Sequence, residues 1–461
     1  MDKSQIAKLD SRYNVRLRDY QIEAIDSWLD NGRKSILAMA TGTGKTITAI
    51  AAMLQLAEEN RRDSKSSIFV IVCPYIHLVD QWDRSLRRFG QSPVRGYLSR
   101  RKWLPDFEHL VKSIDLLPGR FGFVVTTNST FASVDFQKCM KRSGKALVLV
   151  GDEVHNLGAK WLRELLPANA SSRLGLSATP ERWLDLKGTE ALRTFFGPES
   201  YSLGIKESIK RNILVPYDYH PRACRLTQLE TDEYGEVTQQ LIRLLRGRDF
   251  DQLNKSESIE AAKFIRIRSS ITGNAASKIP AMRQAISDLR FDERLLVFCA
   301  EGFSNNYPGG KQTDFVVDDL RNIGISSKKY ESETPARERL EILRDFATGK
   351  LKAIVSMRCL DEGVDIPEAR DAIFLASGSN PRQFVQRRGR VLRQSDGKNF
   401  ATIVDLFVLT APGLGREVME FELNLVRREL DRVAEFIDAS RNKVSGLLAL
   451  REIRKEYGIH E

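Results

Sequence analysis

Ala40-Thr41-Gly42-Thr43-Gly44-Lys45-Thr46 is the stretch on which the fold turns. An apolar run at 35–39 leads into it, and a helix-like run begins at Ile47. A strand feeding a glycine-rich turn that opens a helix is the setting a phosphate-binding loop requires. Glycine lets backbone N–H groups converge on phosphate oxygens with no Cβ in the way. The helix that follows brings its positive end to the same point. In this reading Thr41, Gly42, Thr43 and Gly44 line the phosphates, Lys45 reaches the outer ones, and the Thr46 hydroxyl holds Mg²⁺. The strict pattern carries another glycine where Met39 stands. A glycine turn with structural duties alone is the alternative, and it gives no account of the flanking strand and helix.

Such a loop calls for an acidic partner on another strand. The apolar run 146–150 leads through Gly151 into Asp152-Glu153-Val154-His155. A strand ending in paired acids sets carboxylates at the carboxyl edge of a parallel sheet, where ligands of such sheets bind. Asp152 can hold the metal, directly or through water, and Glu153 can polarise an attacking water. Alone, Asp-Glu after a strand is commonplace and solvated; with Lys45 it reads as a hydrolytic site.

Outward from this centre, short β-like runs at 35–39, 68–73, 122–126, 146–150 and 173–176 alternate with helical patterns such as 47–59 and 78–89. A second block repeats the rhythm, with runs at 295–299, 352–356, 372–376 and 401–405 and helical patterns at 314–323 and 335–348. Alternation of this kind predicts parallel α/β sheets. Residues 227–292 carry no β-like run and read as a helical insertion. Residues 417–453 are amphipathic, either helices packed back on the body or a partner-binding arm. The expected fold is two RecA-like α/β lobes at 1–225 and 291–410, with a helical insertion at 226–290 and a helical C-terminal extension at 411–461.

The second block holds Gln386-Arg387-Arg388-Gly389-Arg390-Val391-Leu392-Arg393. A basic solvated helix is one reading; arginine fingers on a transferred phosphoryl group are the other. Two lobes would have to close on one nucleotide for the second to hold, as in a nucleotide-driven motor.

Composition narrows the classes. At roughly 150 residues per domain, 461 residues accommodate about three units. Five cysteines, none at C-x-x-C spacing, and five scattered histidines without an H-E-x-x-H argue against a protein-ligated zinc. No apolar stretch reaches the ~18 residues of a membrane span, and Met1-Asp2-Lys3-Ser4 opens no apolar signal region. A soluble cytoplasmic protein with no membrane partner is expected. Lys plus Arg number 72 and Asp plus Glu 61, a net charge of +11. That excess permits binding to a polyanion, and solubility accounts for it equally well.

Taken in order, these elements resemble superfamily 2 helicases, two-lobed RecA-like motors, over about residues 17–393. The DEVH form of Asp152–His155, with Glu362-Gly363-Val364-Asp365-Ile366-Pro367, is most similar to the XPB/RAD25-type and type III restriction branch. The resemblance implies ATP and Mg²⁺ as cofactors, DNA as track, and a nucleotide held between the lobes. Leu17-Arg18-Asp19-Tyr20-Gln21 resembles the motif whose Gln21, with Arg18, reads the adenine. Cys73-Pro74 with Gln81-Trp82, and Val125-Thr126-Thr127, resemble nucleic-acid backbone contacts, giving Pro74, Gln81, Thr126 and Thr127 that role. His155, Ser177-Ala178-Thr179 and Gln386 resemble the elements that couple hydrolysis to movement. Residues 295–300 look like the fourth motif. Thr334 and Arg358 would touch nucleic acid, Gly363 and Asp365 the nucleotide, and Arg390 and Arg393 take the finger positions. Two features depart from the branch. Residues 1–16 leave no room for the N-terminal domain of XPB-type proteins, and no Arg-Glu-Asp element stands near Glu181-Arg182-Trp183.

A basic stretch with no acid runs from Arg84 through Arg87, Arg88, Arg95, Arg100 and Arg101 to Lys102, with Tyr97 and Trp103 among the cations. Phosphate neutralisation with a stacking aromatic would suit sequence-independent binding; a solvated helix and loop is the plainer alternative. Lys263, Arg266 and Arg268 form a weaker candidate. The expected function is an ATP-dependent DNA helicase or translocase serving repair, restriction or phage defence. The alternatives are an ATP-gated clamp that recruits a nuclease or other effector, and an RNA remodeller.

Overall fold

The computed structural model describes residues 15–97, 99–182, 185–248, 252–291, 294–302, 304, 306–307, 309–331, 333–357, 366, 368–376, 381–409 and 416–456. They fall into two compact units that divide between Gly204 and Ile205.

In the first unit, β1 (Lys34–Met39), β2 (Ser67–Cys73), β3 (Val94–Gly96), β4 (Phe121–Thr127), β5 (Leu147–Asp152), β6 (Ser172–Ser177) and β7 (Glu199–Leu203) form one sheet. Their order is β3-β4-β2-β5-β6-β1-β7, and every pairing is parallel. Helices cover both faces of such a sheet, so its inner strands read as unbroken apolar runs. Residues 67–73 and 147–152 are buried throughout. Under the sheet lie Trp103, Phe107, Phe131 and Phe136, packed ring to ring.

The second unit repeats the plan with β8 (Tyr217–Cys224), β9 (Leu295–Phe298), β10 (Ser327–Lys329), β11 (Ala353–Ser356), β12 (Asp371–Phe374) and β13 (Ala401–Val408). The order is β10-β11-β9-β12-β13-β8, again all parallel. Between β8 and β9 come the helices Gln228–Leu245, Lys255–Gly273 and Lys278–Leu289. The first two open with capping boxes, Thr227 with Glu230 and Asn254 with Glu257, which occupy N–H groups the first turn cannot pair.

Residues 416–438 and 443–456 are helices, and they pack on the second unit. Tyr217 Oη donates to Phe436 O at 2.6 Å, Asn442 bonds the backbone of Tyr219 through both ends of its amide, and Arg432 pairs with the buried Asp405 at 2.8 Å. Arg268 of the insertion joins Tyr234 and Glu422 in a buried knot.

The units divide earlier than the expected boundary at residue 225, because 217–224 is a strand of the second sheet rather than the end of the first lobe. Strands β3, β7, β8 and β10 were outside the expected set; each is an edge strand. Among the described residues no helix is long and apolar enough to cross a membrane.

Candidate active site

The carboxyl ends of β1, β5 and β6 bring the phosphate loop, Asp152-Glu153 and Ser177 to one edge of the first sheet. The loop takes the shape its glycines allow. Gly42 and Gly44 have φ of 90° and 81°, and Gly44 caps the helix Lys45–Arg62 in the left-handed region. A side chain at Gly44 would also meet Gln21 Nε2 at 2.9 Å. Thr43 turns inward: it is buried, and its hydroxyl donates to Ala40 O at 2.7 Å. The Thr43 side chain thus shapes the loop from within. Tyr20, which sequence reasoning assigned no role, donates its hydroxyl to Thr43 O at 2.8 Å and fixes the loop from outside.

Lys45 Nζ donates to Met39 O at 3.1 Å. Asp152 ends β5 with both carboxylate oxygens engaged: Oδ2 accepts from Trp82 Nε1 at 2.8 Å and Oδ1 from Glu153 N at 3.0 Å. Burial, then the neighbouring Glu153, pushes its carboxyl above the ordinary carboxylate range, and the Trp82 N–H and the Lys45 ammonium work against that rise. Glu153 sits at φ 45°, ψ 54°, a left-handed conformation that costs a non-glycine residue on the order of 1–3 kcal/mol and collects at functional sites. Asn156 holds the turn by bonding Glu153 O through its backbone N–H (2.9 Å) and its amide (3.1 Å).

The protein atoms leave part of this edge unsatisfied. Thr41 Oγ1, Glu153 Oε2 and Thr179 Oγ1 are buried without a hydrogen-bond partner. Orphaned buried oxygens around a glycine cradle and a lysine fit a hydrated polyphosphate and its cation. Thr46 occupies the first turn of the helix, half-buried.

Ser177 connects the acids to the next loop. Its Oγ lies 3.2 Å from His155 Nδ1 and accepts from Thr179 N at 3.1 Å, so the three expected coupling residues of this unit form one chain. Arg182 extends it by donating to His155 O and, at 2.7 Å, to Asp185 Oδ2. Nothing in the local sequence beyond an i, i+3 Arg-Asp spacing marks Arg182. Gln21 is buried, and its Oε1 accepts from Arg18 N at 3.0 Å, capping the helix Asp19–Asp30 that Arg18 precedes.

The nucleic-acid candidates divide. Pro74 and Gln81 are half-buried, at the end of β2 and on the helix Ile76–Arg88. Thr126 is fully buried with its hydroxyl on Gly96 O, so its side chain joins β4 to β3 and does not face a track. Thr127 is buried and accepts from Thr130 N at 3.3 Å. In the basic stretch, Arg87 and Arg95 are spent on the buried Asp83, and Arg100 pairs with Asp135. Tyr97 donates to Asp80 and Trp103 belongs to the core, so neither is a stacking platform. Arg84, Arg88, Arg101 and Lys102 remain exposed.

In the second unit the helix Pro381–Val391 carries the arginine motif. Arg387 donates to Ala376 O and Met357 O at 3.1 and 3.2 Å and lies over Phe298. Arg388 lies 3.7 Å over Phe436 and bonds Tyr217 Oη and Glu435. Arg390 is buried, Gln386 is half-buried on the same helix, and Arg393 lies two residues past its end, bridged to Leu214. Buried Lys398 closes that end by donating to Val391 O, Arg393 O and Ala369 O. Thr334 Oγ1 accepts from Glu331 N at 3.2 Å. Arg268 is buried in its knot with Glu422 and carries no free charge for nucleic acid. Arg358, Gly363 and Asp365 lie outside the described residues.

Residues 14–182 match the family model described as type III restriction enzyme, res subunit, and residues 277–395 match the helicase conserved C-terminal domain. A protein of Sulfurisphaera tokodaii named DNA 3'-5' translocase XPB2 is 28% identical over 83% of this chain and 80% of its own length. A Haloarcula marismortui protein named putative DNA 3'-5' helicase Rad25 is 24% identical over 82% of this chain, which spans 51% of that relative. The fold is shared with a Type ISP restriction-modification enzyme, LlaBIII, at TM-score 0.60 and 18% identity, over 93% of this chain and 31% of that one. With both helicase domains matched in order, the chain belongs to the superfamily 2 helicases, the two-lobed motors that hydrolyse ATP.

Proposed function

We propose that this chain is an ATP- and Mg²⁺-dependent translocase or helicase whose track is DNA. The observation that carries the reading is the meeting of Lys45, Asp152 and Glu153 at one sheet edge, with Thr41 Oγ1 and Glu153 Oε2 buried and without a hydrogen-bond partner beside them. Names of relatives as a DNA translocase and a DNA helicase support DNA as the track. Lys45 and the backbone of residues 41–44 bind the phosphates, with Arg18 and Gln21 toward the base. Thr46 and Asp152 hold Mg²⁺, which when bound offsets the charge of the outer phosphates. Glu153 takes a proton from the attacking water. Arg390 and Arg393 stabilise charge on the transferred phosphoryl group, and Gly363 and Asp365 complete the nucleotide contacts. His155, Ser177, Thr179 and Gln386 pass the state of the nucleotide onward. Pro74, Gln81, Thr127, Thr334 and Arg358 contact the nucleic-acid backbone.

ATP hydrolysis by the purified protein tests the reading, with no nucleic acid, single-stranded DNA, duplex DNA and RNA in parallel. Strong stimulation by DNA is the expected result and identifies the strand form that serves as track. Greater stimulation by RNA, or a flat rate in every tube, overturns it. A strand-displacement assay alongside separates unwinding from translocation or clamping.

A further inference from the structure

Trp82 makes a contact that no local sequence pattern announces. Its indole N–H donates to Asp152 Oδ2 at 2.8 Å, and the ring is fully buried. An indole carries one donor and no acceptor, and a buried donor must find a partner. The partner here is one of the two acids on which hydrolysis depends. Trp82 belongs to the helix Ile76–Arg88, which leaves the carboxyl end of β2 directly after Pro74 and Tyr75. The same helix presents Arg84 and Arg88 to solvent. Its two acids are tied elsewhere: Asp83 to Arg87 and Arg95, Asp80 to the Tyr97 hydroxyl. The element that carries the track candidates is thus bonded to the carboxylate proposed to hold the metal. The other oxygen of that carboxylate is fixed by the adjacent backbone N–H, so Asp152 has little freedom to turn independently of Trp82.

We propose that Trp82 is a positioning residue that orients Asp152 for its cation and ties that orientation to the helix 76–88, so that nucleic acid engaging the helix reaches the hydrolytic acids through one hydrogen bond. The proposal rests on the reading of this edge as an ATPase site and of the helix as track-facing. A partner that orients a metal-holding carboxylate without touching the metal is worth about 10–100-fold in metal affinity or activity.

The test compares Trp82→Phe, which removes the N–H and keeps a buried ring, with Trp28→Phe. Trp28 is a matched control: equally buried, its Nε1 donates at 2.9 Å to a backbone carbonyl, Arg173 O, away from the acids. Three quantities are read in each: the Mg²⁺ concentration for half-maximal ATPase, the ratio of DNA-stimulated to basal kcat, and the Kd for DNA. In Trp82→Phe the Mg²⁺ half-saturation point rises about tenfold, the stimulation ratio collapses toward one, and the Kd for DNA stays within about threefold of wild type. Trp28→Phe leaves all three near wild type. Equal effects in both variants, or an unchanged Mg²⁺ requirement in Trp82→Phe, overturn the proposal. A wild type unstimulated by any nucleic acid refutes the motor reading instead, and the Mg²⁺ requirement then decides the positioning role alone. Where Trp82→Phe fails to fold, 5-fluorotryptophan-labelled wild type replaces it. The fluorine resonance that the other tryptophan variants leave in place should shift on Mg²⁺–nucleotide binding and again on DNA; a resonance indifferent to both sinks the idea.

Discussion

The edge of the first sheet and the arginine helix of the second differ in what their polar side chains touch. At the first, Thr41, Glu153 and Thr179 keep buried oxygens with no hydrogen-bond partner, and Glu153 is held in a conformation its side chain resists. In the second, Arg387 and Arg388 spread their guanidinium groups over aromatic rings and bond carbonyl, hydroxyl and carboxylate oxygens. An under-satisfied, strained cluster is where a fold reserves valences for a ligand. A cation already stacked and bonded is mortar. A run of arginine in sequence therefore overstates the surface available to phosphate, here and equally in the segment 84–102, where Asp83 absorbs Arg87 and Arg95.

The contrast can be broken at several points. Arg390→Ala should reduce kcat by about 10³–10⁵, the usual loss with an arginine finger; a fall of less than tenfold would place Arg390 with the mortar. Glu153→Gln should cost about 10²–10⁴ in DNA-stimulated ATPase, the range of a general base, while nucleotide binding followed by fluorescence persists. Normal turnover in a folded Glu153→Gln protein would remove that role. Arg432→Met removes the cation paired with the fully buried Asp405 and should cost roughly 3–5 kcal/mol in denaturant melts of the second unit, with no selective loss of ATP binding. The smallest effect belongs to Thr126→Val. Losing the bond to Gly96 O should cost about 1 kcal/mol and leave the Kd for DNA unchanged; a severalfold weaker Kd would return Thr126 to the track.

The strands that sequence alone reveals are the buried ones. Residues 67–73 or 401–408 are covered on both faces and spell themselves in apolar letters. The four it leaves out, β3, β7, β8 and β10, are the four sheet edges. An edge strand needs apolar side chains on less of its surface, so Ser327-Lys328-Lys329 or Glu199-Ser200-Tyr201 look like loop. The candidate site divides in the same way. Lys45, Asp152 and Glu153 are legible because their chemistry depends on local spacing. Tyr20, Trp82, Arg182 and Lys398 act on backbone or carboxylate far along the chain, and spacing carries no record of such meetings. Thr126, Tyr97 and Trp103 show the converse: residue type fits a contact, while the side chains are bonded or packed inside the fold.

The pairing of β8 with β13 also sets an order of assembly. The first sheet is complete once Leu203 has been made. In the second, about 180 residues separate Tyr217 from Ala401, roughly 10–40 s of synthesis at ~5–20 residues per second. Through that interval Tyr217 and Tyr219 have neither their neighbouring strand nor the helix residues Phe436 and Asn442 that later cover them. A ribosome stalled midway should therefore hold a folded nucleotide-binding half joined to an unfinished one, and the newborn motor would depend on chaperones for its second half alone.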